Sequence, residues 1–282
     1  MVLLGCIFKC LDPILILAAI ESGRNFFVNP PGSNERSKDI RYSMALAQPS
    51  DHLALLNAYR EWRFIKNSRG RIAANEYAYE NLMHVGGLQI IEKTSEQLLE
   101  MLVDWNLAKD LRPSMRYNNE LGDPHLNLNS DVQPLVFALL TAGLMPNLAV
   151  QTTPILLQTS ADPKALIHPG SLNNNAVGKG EGSNAKSIKA SRYLGAGPPG
   201  TIILYSNKAT NQGGVFLRDT SVIGPVTSLM FSGKLEVDDE RSNTLQVDDW
   251  LPFKFETGVV KPLNQFIECV ESVRPPYSFS VY

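Results

Sequence analysis

Residues 132–159, VQPLVFALLTAGLMPNLAVQTTPILLQT, hold the change of pattern that decides the fold. As far as Gly143 the apolar residues crowd together as in a short helix that ends at a glycine. Beyond it the runs are short, β-prone and broken by turn formers. A boundary near residue 143 follows, with a helical unit over 1–142 and a strand-rich unit over 143–282.

Upstream, periodicity gives helices. In PSDHLALLNAYREWRFI (49–65) Ser50 or Asp51 is placed to cap a helix after Pro49, and Leu55, Tyr59 and Trp62 recur at i, i+4 and i+7. NSRGR (67–71) stops it. Residues 75–110 hold a second periodic run, with Leu88, Ile91, Leu98, Leu99, Leu102 and Val103 on one side and Gly86-Gly87 expected to separate two helices. SGRNFFVNPPGSNERSKD (22–39) and residues 110–131 read as polar connections.

The apolar opening, LLGCIFKCLDPILILAAIESG (3–23), has no basic flank ahead of it and is interrupted by Lys9, Asp12 and Pro13. A spanning helix needs about 20 apolar residues, and a mid-membrane Lys or Asp costs roughly 2.5–3.5 kcal/mol each. The stretch therefore reads as a soluble pair of core helices broken at Asp12-Pro13. Asp12 serves as cap, and Ile14, Leu15, Leu17 and Ala18 form the buried side.

Downstream, AVQTTPILLQT (149–159), GTIILYSN (200–207), GGVFLRDTSVIG (213–224), SLMFSGKLEVDD (228–239) and TLQVDDWLPFKF (244–255) are evenly spaced candidate strands. They predict a small antiparallel barrel or sandwich. A flexible insertion is expected at about 173–200, and KPLNQFIECVESV (261–273) reads as a terminal amphipathic helix.

Net charge is −2 and 44% of residues are apolar, the balance of an ordinary globular chain without a basic tail or acidic disordered segment. Cys6, Cys10 and Cys269 provide neither an even disulfide framework nor zinc spacing. Cys6 and Cys10, one turn apart, read as small buried thiols. A soluble protein of a reducing compartment, cytoplasmic or nuclear, is expected.

Seven stretches together resemble the C-terminal region of the DEAH-box and RNA-helicase-A-like RNA helicases: LLGCIFKCLDPILILAA (3–19), SDHLALLNAYREW (50–62), ENLMHVGGLQIIEKTSEQLLEML (80–102), LLTAGLMPNLA (139–149), IHPGSLN (167–173), GVFLRDTSVIGPVTSLMFSGKLEV (214–237) and VDDWLPFKF (247–255). They follow that family's order. The resemblance implies an α+β chain of two domains, an α-helical ratchet (HA2) bundle followed by a small OB-fold β-barrel and a C-terminal helix. It also implies that the chain starts partway into the architecture, behind motor domains that have no counterpart here. The Gly-rich phosphate loop of such motors is absent. VGKGEGS (177–183) has Gly180 where the motif needs Ser or Thr, and DDER (238–241) has no such loop to serve. No cofactor is expected in this chain, since ATP and Mg²⁺ would be bound by the motor domains.

Charge decides between surfaces. Residues 164–208 carry a net +5, through Lys164, Lys179, Lys186, Lys189, Arg192 and Lys208 against Glu181, whereas residues 235–249 carry −5. Phosphate favours the first. By resemblance, His168 and Ser171 in HPGS (168–171), Lys208, Thr210 and Arg218 in NKATNQGGVFLRD (207–219), and Asn81 in the helical half are the candidate RNA contacts. These residue types bond a sugar-phosphate backbone without reading a base. Lys93 is the single cation in EKTSEQL (92–98), and His52 and Arg63 are either channel-facing or solvated. Trp62 and Trp250 are expected in the core.

The expected function is that of the RNA-binding module of a DEAH-type ATP-dependent RNA helicase, a fragment or truncated relative. It would contact single-stranded RNA while a motor outside this chain performs the unwinding, with the motor or activator proteins as further partners. The alternative is a protein-interaction module that binds glycine-rich-patch helicase activators or ribonucleoprotein partners without touching RNA.

Overall fold

The computed structural model describes residues 1–23, 25–109, 119–174, 197–211, 214–230, 235–239, 244–248 and 250–254, with 262, 265, 268, 269 and 272 beyond them. The expected insertion and terminal helix fall largely outside the described residues. The described chain is mixed α+β, with its helices first and strands after.

Helices α1 (Val2–Ile7) and α2 (Leu11–Glu21) form the opening pair. Every residue of α2 from Leu11 to Leu17 is buried, because α2 packs against α1, α4 (Asp51–Arg69), α6 (Val85–Asp104) and α7 (Gln133–Leu144). A helix surrounded by protein is apolar on all sides for the same reason as one surrounded by lipid. No described helix is long and apolar enough to cross a membrane. Asp12 is not the cap; Cys10 holds that position, and Asp12 lies inside the first turn, where Arg63 and Arg60 claim it.

A helix not expected from sequence, α3 (Asn34–Met44), occupies the second half of the presumed 22–39 connection and runs past it. The segment has no Gly or Pro, which was its one visible signal. In α4 the Ser50 hydroxyl caps Leu53 N–H at 3.0 Å, Leu55, Tyr59 and Trp62 are buried as expected, and Gly70 ends the helix at φ +89°. α5 (Arg71–Glu80) follows. The break before α6 falls at 81–84 and not at the glycine pair. Gly86 and Gly87 lie in the first turn of α6, where the His84 ring accepts the Gly87 N–H at 3.0 Å. A Cβ on Gly87 would stand 2.9 Å from the Phe26 Cβ, so close packing sets the glycine there.

Five strands, β1 (Leu148–Gln151), β2 (Leu157–Thr159), β3 (Ala165–Ile167), β4 (Ile202–Asn211) and β5 (Gly214–Ile223), close a barrel in the order β1-β2-β3-β5-β4. β3 and β5 run parallel and the other neighbours antiparallel. Membership differs from the sequence reading. The three-residue strand β3 joins the barrel, while the last two β-prone runs form a separate sheet of β6 (Leu235–Asp239), β7 (Thr244–Val247) and β8 (Leu251–Lys254) after α8 (Pro225–Met230).

The apolar IILY of β4 is explained by burial on both faces. Ile202 and Leu204 join the helical core, whereas Ile203 and Tyr205 fill the barrel with Ala149, Leu157, Ala165, Ile167 and Leu217. The larger core continues from the helices through Leu148 and Ile223 to Leu229, Val247, Leu251 and Phe253. Trp62 is fully buried and Trp250 packs partly buried on this core, as expected.

Candidate nucleic-acid interface

The far end of the β4–β5 ribbon is where most of the strand-borne candidates gather. Across it Asn207 faces Arg218, Lys208 faces Leu217, Ala209 faces Phe216 and Thr210 faces Val215. Residues directly opposed in an antiparallel pair share a face. Lys208 and Thr210 therefore stand together on one side, and Arg218 stands on the other with Asn207. All four are exposed.

Lys208 is held by Asp162, in the turn after β2, at 3.0 Å. That hydrogen bond raises the ammonium's pKa and lowers the carboxyl's, in a setting open enough that water screens most of the attraction. On the opposite side, the His168 ring stands edge-on to Phe216 with centroids 6.5 Å apart, and its Nδ1 accepts the Gly170 N–H at 3.0 Å. Burial, and then the Arg218 charge, lower the imidazole's pKa. His168 and Arg218 thus share a neighbourhood that Lys208 and Thr210 do not.

Ser171 has a different surrounding. It is 3% exposed, and its hydroxyl donates to the Asp51 carboxylate and pairs with Thr220 Oγ1 at 2.8 Å. Asp51 also accepts the Leu172 and Thr220 N–H groups, each at 2.9 Å. Asn173 Nδ2 adds bonds to Pro49 O at 3.1 Å and Thr220 O at 3.0 Å. The N-terminus of α4 is thereby tied to the 168–174 segment and to β5. Ser171 holds that joint and has no open side toward a strand.

Asn81, at the end of α5, lies in the helical half, away from the ribbon. Its Nδ2 donates to Tyr77 O at 2.8 Å, and it borders a cleft of 680 Å³ with Asn57, Arg60, Phe64, Tyr77 and Asn119. Three carboxamides, two guanidinium groups, those of Arg60 and Arg63, and two aromatic rings line a single opening. Glu120 also lines it. Burial, followed by the neighbouring Asp12 charge, pushes its carboxyl up to about 7.

Neither of the two residues weighed as channel-facing or solvated is solvated, though Arg63 borders the Asn81 cleft. Arg63 is 6% exposed and forks onto Asp12 at 2.8 and 3.1 Å, while Arg60 reaches the same carboxylate at 3.2 Å. His52 is 1% exposed and bonded to barrel serines. A helix between a second helix layer and a barrel has little free face, which residue type alone does not reveal.

Sequence reasoning missed the cations of α3. Arg36 is exposed and donates to Glu80 O at 3.1 Å, beside Asn81. Arg41 is buried over the Phe27 ring at 5.8 Å and donates to Gly170 O, tying α3 to the His168 turn. Among the described residues no group of three or more His, Cys, Asp or Glu is placed to hold a metal.

Residues 1–70 match the helicase associated domain (HA2), ratchet-like. The chain is 29% identical to ATP-dependent RNA helicase dhx29 of Xenopus laevis over 97% of its own length and 19% of the relative's. It is 27% identical to ATP-dependent DNA/RNA helicase DHX36 of Bos taurus over 98% of this chain and 26% of the relative's. With DExH-box ATP-dependent RNA helicase DExH1 of Arabidopsis thaliana it shares 30% identity over 83% of this chain and 21% of the relative's. The resemblance to DEAH-box helicases thus extends over nearly the whole chain, which spans about a fifth to a quarter of these relatives.

Proposed function

We propose that this chain, similar along nearly its whole length to DEAH-box helicases, is their RNA-gripping module: a ratchet unit over 1–142 and an OB-type barrel over 143–282, which hold a single strand while a motor outside this sequence supplies the work. The barrel's strand order, closing β4 back onto β1 with β3 and β5 parallel, supports the OB reading. The proposed division falls in the last turn of α7, which ends at Leu144, just ahead of β1 at Leu148.

The observation that carries the reading is the Asn81 cleft in a chain aligned almost end to end with helicases. Carboxamides and aromatic rings suit unstacked bases, which offer π-faces and hydrogen-bonding edges at every nucleotide. Glu120 and the nearby Asp131 oppose phosphate there, so the cleft takes bases, and the ribbon, with Lys208, Thr210 and Arg218, takes backbone. His168, packed edge-on to Phe216, stands on the Arg218 side of the ribbon, and Ser171 works through the joint it holds.

Fluorescence anisotropy with a single-stranded oligonucleotide over a salt series tests this. Each neutralised phosphate contributes about 0.7 to the slope of log affinity against log salt. Lys208→Ala and Arg218→Ala are each expected to lower that slope by about that amount, and Asn81→Ala to weaken binding with the slope unchanged. No binding at low salt would reject RNA contact and leave the chain a protein-interaction module.

A further inference from the structure

Midway along the β4–β5 ribbon, where helices meet barrel, five polar side chains from four elements form an unbroken run of hydrogen bonds. Ser50 Oγ lies 2.7 Å from Ser221 Oγ, which lies 2.6 Å from His52 Nδ1. His52 Nε2 lies 2.9 Å from Ser206 Oγ and 3.3 Å from Glu21 Oε1, and Ser206 donates to Glu21 Oε1 at 2.9 Å. Glu21 belongs to α2, Ser50 and His52 to the start of α4, Ser206 to β4 and Ser221 to β5. The three serines and the histidine are all buried.

The protons follow from the donor inventory. An ionised Glu21 only accepts, so Ser206 donates to it and its oxygen must receive the His52 Nε2–H. At the far end Ser50 Oγ already accepts the Leu53 N–H. With a neutral ring, Ser221 donates to Nδ1 and Ser50 donates to Ser221. With a charged ring, Nδ1–H donates to Ser221 and the Ser221–Ser50 leg reverses. Two hydroxyl hydrogens rotate and no heavy atom has to move. A buried site that accommodates both charge states without breaking a link of the run is suited to taking up a proton.

We propose that His52 is a proton-operated latch between the helical half and the barrel: as imidazolium held against Glu21, it fastens α2 and α4 to the β4–β5 ribbon. The groups that act on it are Glu21 from α2, Asp51 from its own helix and Asp219 from β5, all acidic. Arg41 is the nearby cation that Asp51 and Asp219 share. Burial disfavours the charged ring, but Glu21, Asp219 and Asp51 outweigh it, and the pKa rises above its ordinary 6.5. A raised folded-state value means that the latch's stabilisation is complete below about 6.5 and is lost as pH climbs through the folded value. The latch stands whether or not the ribbon meets RNA.

The test is an NMR titration of the histidine ring carbons in the full 282-residue chain, with His52 identified by the resonance missing from His52→Asn. The wild-type ring is expected to titrate above 6.5, and Glu21→Gln to lower the midpoint by about one pH unit, a tenfold loss of proton affinity. Urea melts at pH 6 and 8 should show wild-type stability falling more over that interval than that of Glu21→Gln. A wild-type ring that stays neutral down to pH 6, or a midpoint unmoved by Glu21→Gln, overturns the latch, and the wild-type titration decides the first point even if every variant misfolds.

Discussion

Replacing Asp12 by Ala should be among the most damaging single changes available in the helical half. The carboxylate is fully buried and receives four hydrogen bonds: two from Arg63 at 2.8 and 3.1 Å, one from Arg60 at 3.2 Å and one from the Leu121 N–H at 3.0 Å. Arg60 can turn to water, since its side chain is 25% exposed, but Arg63 at 7% cannot. A buried charge left without its partner costs about 3–5 kcal/mol. The stranded Leu121 N–H adds about 1 kcal/mol or more. Set against a total stability of about 5–15 kcal/mol, this is about a quarter or more of what holds a domain folded. Arg63→Met should cost less, because Asp12 keeps Arg60 and Leu121. The double change Asp12→Ala with Arg63→Met should cost clearly less than the two single losses added. Urea melts followed by circular dichroism at pH 7 measure all three. A loss under about 1 kcal/mol for Asp12→Ala, or strict additivity in the double variant, would refute the claim that an isolated buried cation sets the cost. Burial opposes ionisation of Asp12, but Arg63 and then Arg60 outweigh it and hold the pKa below 3.8. The stabilisation is therefore present above about 3.8 and disappears as pH falls through the lower folded value.

Ser171→Ala should lower stability by about 1–3 kcal/mol, through the weakened Asp51 joint, while leaving the salt slope of oligonucleotide binding intact; a changed slope would return Ser171 to the contact surface. Glu120→Gln should raise stability at pH 8 relative to wild type and make little difference at pH 5, because a carboxyl pushed up to about 7 costs the fold most once it ionises. Equal stability at pH 8 would contradict the burial of that group. Cys10 is buried, and burial followed by Cys6 pushes its thiol up to about 12, so alkylation of the native chain at pH 8 should modify exposed Cys269 first and Cys10 last, as mass spectrometry reads directly.

The sequence by itself determined what depends on neighbours a few residues away. Period and capping gave α4 from Ser50 to Gly70, the burial of Leu55, Tyr59 and Trp62 and the α7-to-β1 transition near residue 143, while strand spacing left a barrel or a sandwich open. Seven short motifs gave the helicase likeness. Tertiary structure alone decided what depends on residues distant in the chain. Asp12 looks like a cap until Arg63, 51 positions away, arrives beside it. Ser171 looks like a surface hydroxyl until Asp51 and Thr220 enclose it, and a three-residue strand such as β3 exists only because β2 and β5 flank it. Lys208 and Arg218 look like one cationic pair in sequence, yet strand register puts them on opposite faces. Helix periodicity and caps are written in local dihedral preferences, whereas burial, charge pairing and strand membership are set by packing partners that no window of ten or twenty residues contains.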